Sequence, residues 1–336
     1  MKTLVCIQPG EFAYREADAP LARPGHSIIK IKKIGICGTD LHAYEGTQPY
    51  FEYPRILGHE LSGDIVDLDQ APGFQPGEAV TIIPYFNCGI CIACRNGKPN
   101  CCTTIKVCGV HIDGGMAEYL SVPSNALVHG RGLSYDQLAL IEPLAIGAHA
   151  VRRAAIQPGE FALVIGAGPI GLGTMESARI AGATVIAMDI NEDRLRFCRD
   201  NLHILHTVNA TTNPLEQLRH LTRGDMPTVV IDATGSRKAI NDGFQYMAHG
   251  ARYVLVGLQK GEIQFSHPEF HKREGTLMSS RNATREDFDK VIDAMEKGLI
   301  DPTTYITHRV TFNEVKDQFA SWLDPANGVI KAMVEV

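Results

Sequence analysis

The sequence predicts an α/β protein in which a mostly-β part is joined to a doubly wound parallel sheet. Three observations predict it. β-rich runs punctuated by Pro and Gly fill the N-terminal part of the chain. From position 161 onward, short apolar strands alternate with helical stretches, the pattern of a parallel sheet. A glycine-rich turn follows the first of those strands at once, so that strand, turn and helix form one unit.

A chain of 336 residues argues for two domains at roughly 150 residues each. The net charge of -6, with 21% charged residues and no run of like charge, shows no footprint for nucleic acid or an anionic membrane. The apolar run in Met1 to Pro9 is too short for a signal-peptide core, and nowhere do about 18 apolar residues run together. A soluble cytoplasmic protein is expected. Nine cysteines are few for this length, and five of them fall between positions 88 and 102, which in a reducing compartment reads as metal binding.

In chain order, Thr3 to Ile7 and Ser27 to Lys32 read as strands separated by Pro20, Pro24 and Gly25. Cys37 comes just beyond the second strand, where a rigid frame can position a thiol. With His59 and Glu60 it offers a thiolate, an imidazole and a carboxylate, the ligand types of a zinc ion, and so few protein ligands leave a position open for chemistry. Taken alone, the stretch reads as well as a buried cysteine and a turn. Thr39 offers a hydroxyl, and Asp40 a carboxylate for the far nitrogen of a ligating histidine. His42 suits a proton carrier, and equally a surface histidine.

Leu61 to Leu68 and Ala79 to Ile83 read as strands around the turn Pro76-Gly77-Glu78. Then Cys88, Cys91 and Cys94 follow at two-residue gaps, with Cys102 beyond them, the spacing of a closed structural zinc lobe over 86–104. Cys101 is an alternative fourth ligand, while Cys6, Cys108 and Cys198 have no partner pattern. Met116 to Val122 reads as another strand. Glu142 lies in Ala-Leu-Ile-Glu-Pro-Leu-Ala, which would bury it; an ionised carboxylate there needs a metal or cation, or else becomes protonated.

Phe161 to Ile165 leads directly into Gly166-Ala-Gly168-Pro169-Ile170-Gly171 and a helix through Ala181. Glycines allow the tight turn and the approach of a pyrophosphate, whose charge meets the helix N-terminus. A second strand, Thr184 to Met188, ends in Asp189, placed to accept hydrogen bonds from ribose hydroxyls and to repel a 2′-phosphate, so NAD is expected over NADP. The alternation continues through the helix Asp193 to Asn201, the strand Val229 to Ile231, and Tyr253 to Gly257. Thr234, Gly257 and Leu258 fall at or beyond strand ends, where open α/β sheets bind ligands. Arg194 is a further candidate contact.

Together, Cys37-Gly-Thr-Asp, Gly58-His-Glu, the four-cysteine lobe, Glu142-Pro-Leu and the glycine-rich turn resemble the zinc-dependent medium-chain dehydrogenases, over essentially the whole chain. The resemblance implies a discontinuous GroES-like catalytic domain, 1–147 with 283–336, and a Rossmann domain, 148–282. It also implies a homodimer or homotetramer. The two glutamates, Glu60 and Glu142, look like the sorbitol dehydrogenase branch. Carried over, Cys37, His59 and Glu60 or Glu142 hold the catalytic zinc, a proton leaves by Thr39, the cofactor ribose and His42, and Ser280 and Arg281 lie by the nicotinamide. One departure is Asp69, where the family has a small residue.

Ser279 to Thr284, Pro268 to Lys272 and Ala148 to Ala155 are similar to bacterial L-galactonate and L-gulonate 5-dehydrogenases and the starvation-sensing oxidoreductases. That likeness implies NAD-dependent oxidation of a secondary hydroxyl of a sugar acid. The acid's carboxylate calls for a cation, with Arg281, Lys272 and Arg55 as candidates. Oxidation of a neutral polyol or of L-threonine is the alternative, and a noncatalytic NAD-sensing regulator the alternative from another class.

Overall fold

The computed structural model describes residues 1–49 and 51–336. The chain divides into two compact units, Met1–Glu142 with Thr284–Val336, and Pro143–Ala283. Among the described residues, no helix is long and apolar enough to cross a membrane.

The first unit is built on a seven-stranded sheet whose longest strand is His26–Gly35. Its apolar residues Ile29, Ile31 and Ile34 are fully buried with Leu4, Leu61 and Val334 in one core. Burying each such side chain contributes about 1.5–3 kcal/mol. Glu60–Asp67 and Tyr119–Pro123 pair antiparallel with this strand, and so does Lys331–Glu335 from the far end of the sequence. Ile306–Thr311 adds to Lys331–Glu335 in parallel.

The expected strand Met116 to Val122 is shorter in the fold and shifted, Tyr119–Pro123. Its first residues are used otherwise: the Met116 amide donates to Leu57 O at 2.9 Å, Met116 O accepts from Leu4 N at 2.9 Å, and Ala117 bridges Thr3. Asp69, the departure from the family pattern, accepts a hydrogen bond from Gly25 N, so its carboxylate ties two loops together.

The second unit is a six-stranded, wholly parallel sheet. Counted along the chain, its strands are Phe161–Ile165, Thr184–Asp189, His206–Asn209, Val229–Asp232, Arg252–Leu255 and Thr276–Ser279. They lie in the order 3-2-1-4-5-6. The winding therefore reverses between the first and fourth strands, and the crevice beyond their carboxyl ends is where such sheets take a dinucleotide.

Candidate active site

Register builds the centre of the first unit. Gly35, the last residue of the longest strand, faces Glu60 on one neighbour and Met333 on the other. Cys37 follows two residues on, and Lys331 precedes Met333 by two. Gly35 must be glycine here, because a Cβ would lie 2.1 Å from Glu60 Oε2. Into that space Glu60 turns its carboxylate, and Lys331 Nζ donates to both of its oxygens at 2.6 Å. Both residues are fully or almost fully buried. Burial alone would lower the Lys331 pKa, but the charges of Glu60 and Cys37 and the hydrogen bond to Glu60 raise it.

Asp40 joins the two loops that carry Cys37 and His59. Its carboxylate accepts from Cys37 N at 2.9 Å and from Gly58 N at 3.1 Å. Gly58 supports the second loop with a left-handed φ of 93°. Asp40 Oδ1 stands 3.7 Å from His59 Nδ1, beyond hydrogen-bond range. The expected bond from histidine to Asp40 is thus not formed: the amides of Cys37 and Gly58 anchor the carboxylate at that distance. His59 Nδ1 is buried without a hydrogen-bond partner. Burial disfavours the imidazolium, yet the charges of Asp40 and Cys37, a hydrogen bond to the Cys37 side chain and the charge of Glu142 raise His59 well above its usual pKa.

Glu142, 4% exposed, opens the helix Ile141–Ala154. Burial pushes its carboxyl up to about 7, with His59 opposing and Glu60 reinforcing the shift. Tyr85 donates its hydroxyl hydrogen to Glu142. Among the described residues no cation pairs with Glu142. A thiol in contact with an imidazole, an orphaned buried nitrogen and a buried carboxylate without a counter-ion form a donor set that fits zinc. Thr39 is half-buried on the short helix Gly38–Glu45. His42, exposed on the same helix, has its Nδ1 3.3 Å from Glu45 Oε2.

The cysteine lobe closes more tightly. The sulfurs of Cys88, Cys91, Cys94 and Cys102 all lie within 4.8 Å of one another. Among the described residues this is the group of three or more His, Cys, Asp or Glu at that spacing, which Cys37, His59, Glu60 and Glu142 do not reach as a set. Backbone amides of Cys94 and Thr103 push the Cys91 thiol down to about 5, favouring the thiolate a metal needs. Cys101 is exposed and stands outside the group.

In the second unit, Gly166 takes a left-handed φ of 100° and its amide donates to Met188 O at 2.7 Å. Gly168 caps the helix Pro169–Ile180, with Pro169 at its first position. No atom lies within 4 Å of where a Gly168 Cβ would project, so that side of the turn is open to a ligand. Asp189 accepts from Ala167 N at 2.7 Å and from Asn191 N at 2.9 Å. Each oxygen has taken one backbone donor and keeps acceptor capacity for a ribose. Arg194 is half-buried on the helix Glu192–Leu202.

Asp232 holds the neighbouring turn by accepting from Thr234 Oγ1 at 2.8 Å and Gly235 N at 3.2 Å. Gly257 fits against that turn, since a Cβ there would lie 2.1 Å from Gly235 N. Leu258 is exposed, Ser280 is buried with its hydroxyl unpartnered, and Arg281 is exposed.

Lys272 pairs with Glu269 at 2.8 Å, and Arg273 bonds the same carboxylate at 2.9 Å. Arg55 Nη1 reaches Asp113 at 3.4 Å while its buried Nε has no partner. Sequence reasoning missed Lys331 and Tyr85. The one available signal was a lysine opening the apolar run Lys-Ala-Met-Val.

Residues 23–131 match the family described as Alcohol dehydrogenase GroES-like domain, and residues 169–297 the family described as Zinc-binding dehydrogenase. The chain is 46% identical to the L-galactonate-5-dehydrogenase of Escherichia coli K12, over 95% of this chain and 94% of that one. It is 32% identical to a sorbitol dehydrogenase of Halalkalibacterium halodurans, over 94% of each. A crystal structure described as a short chain alcohol dehydrogenase (rspB) from E. coli CFT073, complexed with NADH, is similar with a TM-score of 0.92 at 31% identity, covering 100% of this chain and 99% of that one. With motifs, fold and relatives in agreement, the chain belongs to the zinc-type medium-chain alcohol dehydrogenases, a family of oxidoreductases.

Proposed function

We propose that this enzyme oxidises a secondary hydroxyl of a sugar acid, of the L-galactonate or L-gulonate kind, to a keto-hexonate with NAD as acceptor. The reaction type is carried by the Cys37 and His59 pair beside buried Glu142. The substrate class is supported by the 46% identity to an L-galactonate-5-dehydrogenase.

When bound, zinc supplies a Lewis acid that makes an alcohol acidic near neutral pH, and NAD supplies the hydride acceptor. Cys37, His59 and a glutamate, Glu60 or Glu142, hold the metal, and Cys88, Cys91, Cys94 and Cys102 hold a second, structural zinc. Thr39 takes the substrate's hydroxyl proton into a relay, and exposed His42 delivers it to water. Gly166 and Gly168 cradle the pyrophosphate, and Pro169, Ile170 and Gly171 open the helix behind that turn. Asp189 binds the adenosine ribose and rejects a 2′-phosphate, with Arg194 alongside. Thr234, Gly257, Leu258 and Ser280 line the nicotinamide side. Arg281 pairs with the substrate carboxylate, with Lys272 and Arg55 as the other candidates. The enzyme works in the cytoplasm as a homodimer or homotetramer.

The test is NADH formation across L-galactonate, L-gulonate, sorbitol, xylitol and L-threonine. Higher kcat/KM on the aldonates, falling selectively in Arg281→Gln, supports the reading. A sorbitol dehydrogenase relative at 32% identity favours the neutral polyol as second reading, which higher kcat/KM on sorbitol would establish. NADH binding without turnover of any alcohol would leave a sensor.

A further inference from the structure

A short helix of the second unit, His267–Lys272, is fixed firmly to the chain around it. Pro268 sits in its first turn, where the missing amide costs nothing. Phe270 packs edge-on against Phe244, a residue of that unit's core, with ring centroids 5.8 Å apart, and lies 5.1 Å from Phe265. Arg273 Nε donates to Met247 O at 3.1 Å, and its Nη1 to Glu269 O at 2.8 Å. Gly275 lets the chain pass close by, since a Cβ there would lie 2.7 Å from the Phe270 ring.

This frame carries two imidazoles on one face. His267 and His271 stand four positions apart, the spacing that puts side chains one above the other on a helix. Both are exposed, and their ring centroids are 5.8 Å apart. A tetrahedral ion with metal–nitrogen bonds of about 2 Å would hold two such rings at about 5 Å. A small rotation of either side chain closes the difference. Two histidines at this spacing on a helix are a chelating pair for zinc, and imidazole suits nickel and copper as well. Among the described residues, no third His, Cys, Asp or Glu joins the pair in a group at 4.8 Å. Water is left to fill the other positions.

We propose that His267 and His271 form a surface site that chelates one divalent transition-metal ion, nickel, copper or zinc, through their two imidazoles. The proposal does not depend on the catalytic reading, because it uses none of the residues assigned there. Six residues are too few to hold a helix alone. An ion bridging the first and fifth of them staples the turn, and by binding only the folded chain it raises stability.

The experiment titrates Ni²⁺ into the untagged, zinc-loaded enzyme by calorimetry, with zinc content followed by mass spectrometry. One nickel per chain should bind with all zinc retained, and the melting temperature should rise. His267→Ala and His271→Ala should each weaken nickel by about 10²-fold, because the second imidazole acts at a high effective concentration. The double variant should bind no more weakly than either single one. His220→Ala and His249→Ala, at exposed positions of the same unit, should bind as the wild type does. Unchanged affinity in either His267→Ala or His271→Ala overturns the proposal, and so does nickel uptake that only displaces zinc, or none at all. Without any variant, electron paramagnetic resonance of the first equivalent of Cu²⁺ should show two nitrogen ligands, and a spectrum with none overturns the proposal as well.

Discussion

Replacing Gly171 by Ala separates the structural demand of the glycine-rich turn from its service to a ligand. A Cβ at 171 would lie 1.8 Å from the carbonyl oxygen of Gly166, where ordinary contact begins at 3.4 Å. That carbonyl would have to retreat by about 1.6 Å. It cannot do so freely. Gly166 N is bonded to Met188 O, and a Cβ on Gly166 would already be within 2.9 Å of Thr234, so the turn is enclosed on both sides. Overpacking of this kind costs about 1–3 kcal/mol, here near the upper end because the obstacle is backbone. The melting temperature should fall by about 2–4 °C for each kcal/mol, and NADH binding should weaken with it.

Gly168→Ala is the control. Nothing lies within 4 Å of its Cβ position, and its φ of −80° and ψ of 179° suit any residue. It should melt with the wild type yet bind NADH more weakly by about tenfold or more, the equivalent of about 1.4 kcal/mol, because the new methyl occupies the side from which a pyrophosphate approaches. Thermal melts by circular dichroism and NADH fluorescence titrations read the two effects. Wild-type melting of Gly171→Ala, or unimpaired NADH binding by Gly168→Ala, would refute the reasoning.

Further outcomes are expected. Burial raises Asp232 from 3.8 to about 6, so between those values the folded chain holds a proton that the unfolded chain has released. Stability from this group therefore declines as pH rises from 4 to 6, by at most about 3 kcal/mol. Asp232→Asn should be more stable than wild type to urea at pH 7.5, and the gain should vanish near pH 4. Cys94→Ser should lose the lobe's metal and melt lower, whereas Cys101→Ser keeps both, as metal analysis and calorimetry would show. His42→Ala should slow turnover by at most about 10²-fold, because water reaches its exposed position; an unchanged rate from pH 6 to 9 would remove His42 from the relay.

Much of the candidate site was legible because its information is local. Cys88, Cys91 and Cys94 lie within one loop, so their spacing by itself brings three sulfurs around one point. Strand, glycine turn and helix from Phe161 to Ile180 are contiguous, and Asp189 ends the next strand. Less was legible where backbone partners set positions: Asp40, expected to bond His59, is anchored by the amides of Cys37 and Gly58 at 3.7 Å from it. The strand at Met116 shortened for the same reason, its amide and carbonyl being claimed by Leu57 and Leu4.

By itself the sequence determined the thiol and carboxylate types gathered at the candidate site, the parallel α/β half and the strand, glycine turn and helix that open it, since each rests on residues a few positions apart, whose geometry the chain's own bonds limit. Only the tertiary structure decided the state of the two glutamates. Lys331 reaches Glu60 across 271 positions, and Tyr85 reaches Glu142 across 57. The first pair is set by the register of strands far apart in the chain, the second by where the helix Ile141–Ala154 begins beside Tyr85, and no spacing rule encodes that register. It comes from the burial of whole strand faces at once, which is a property of the assembled sheet.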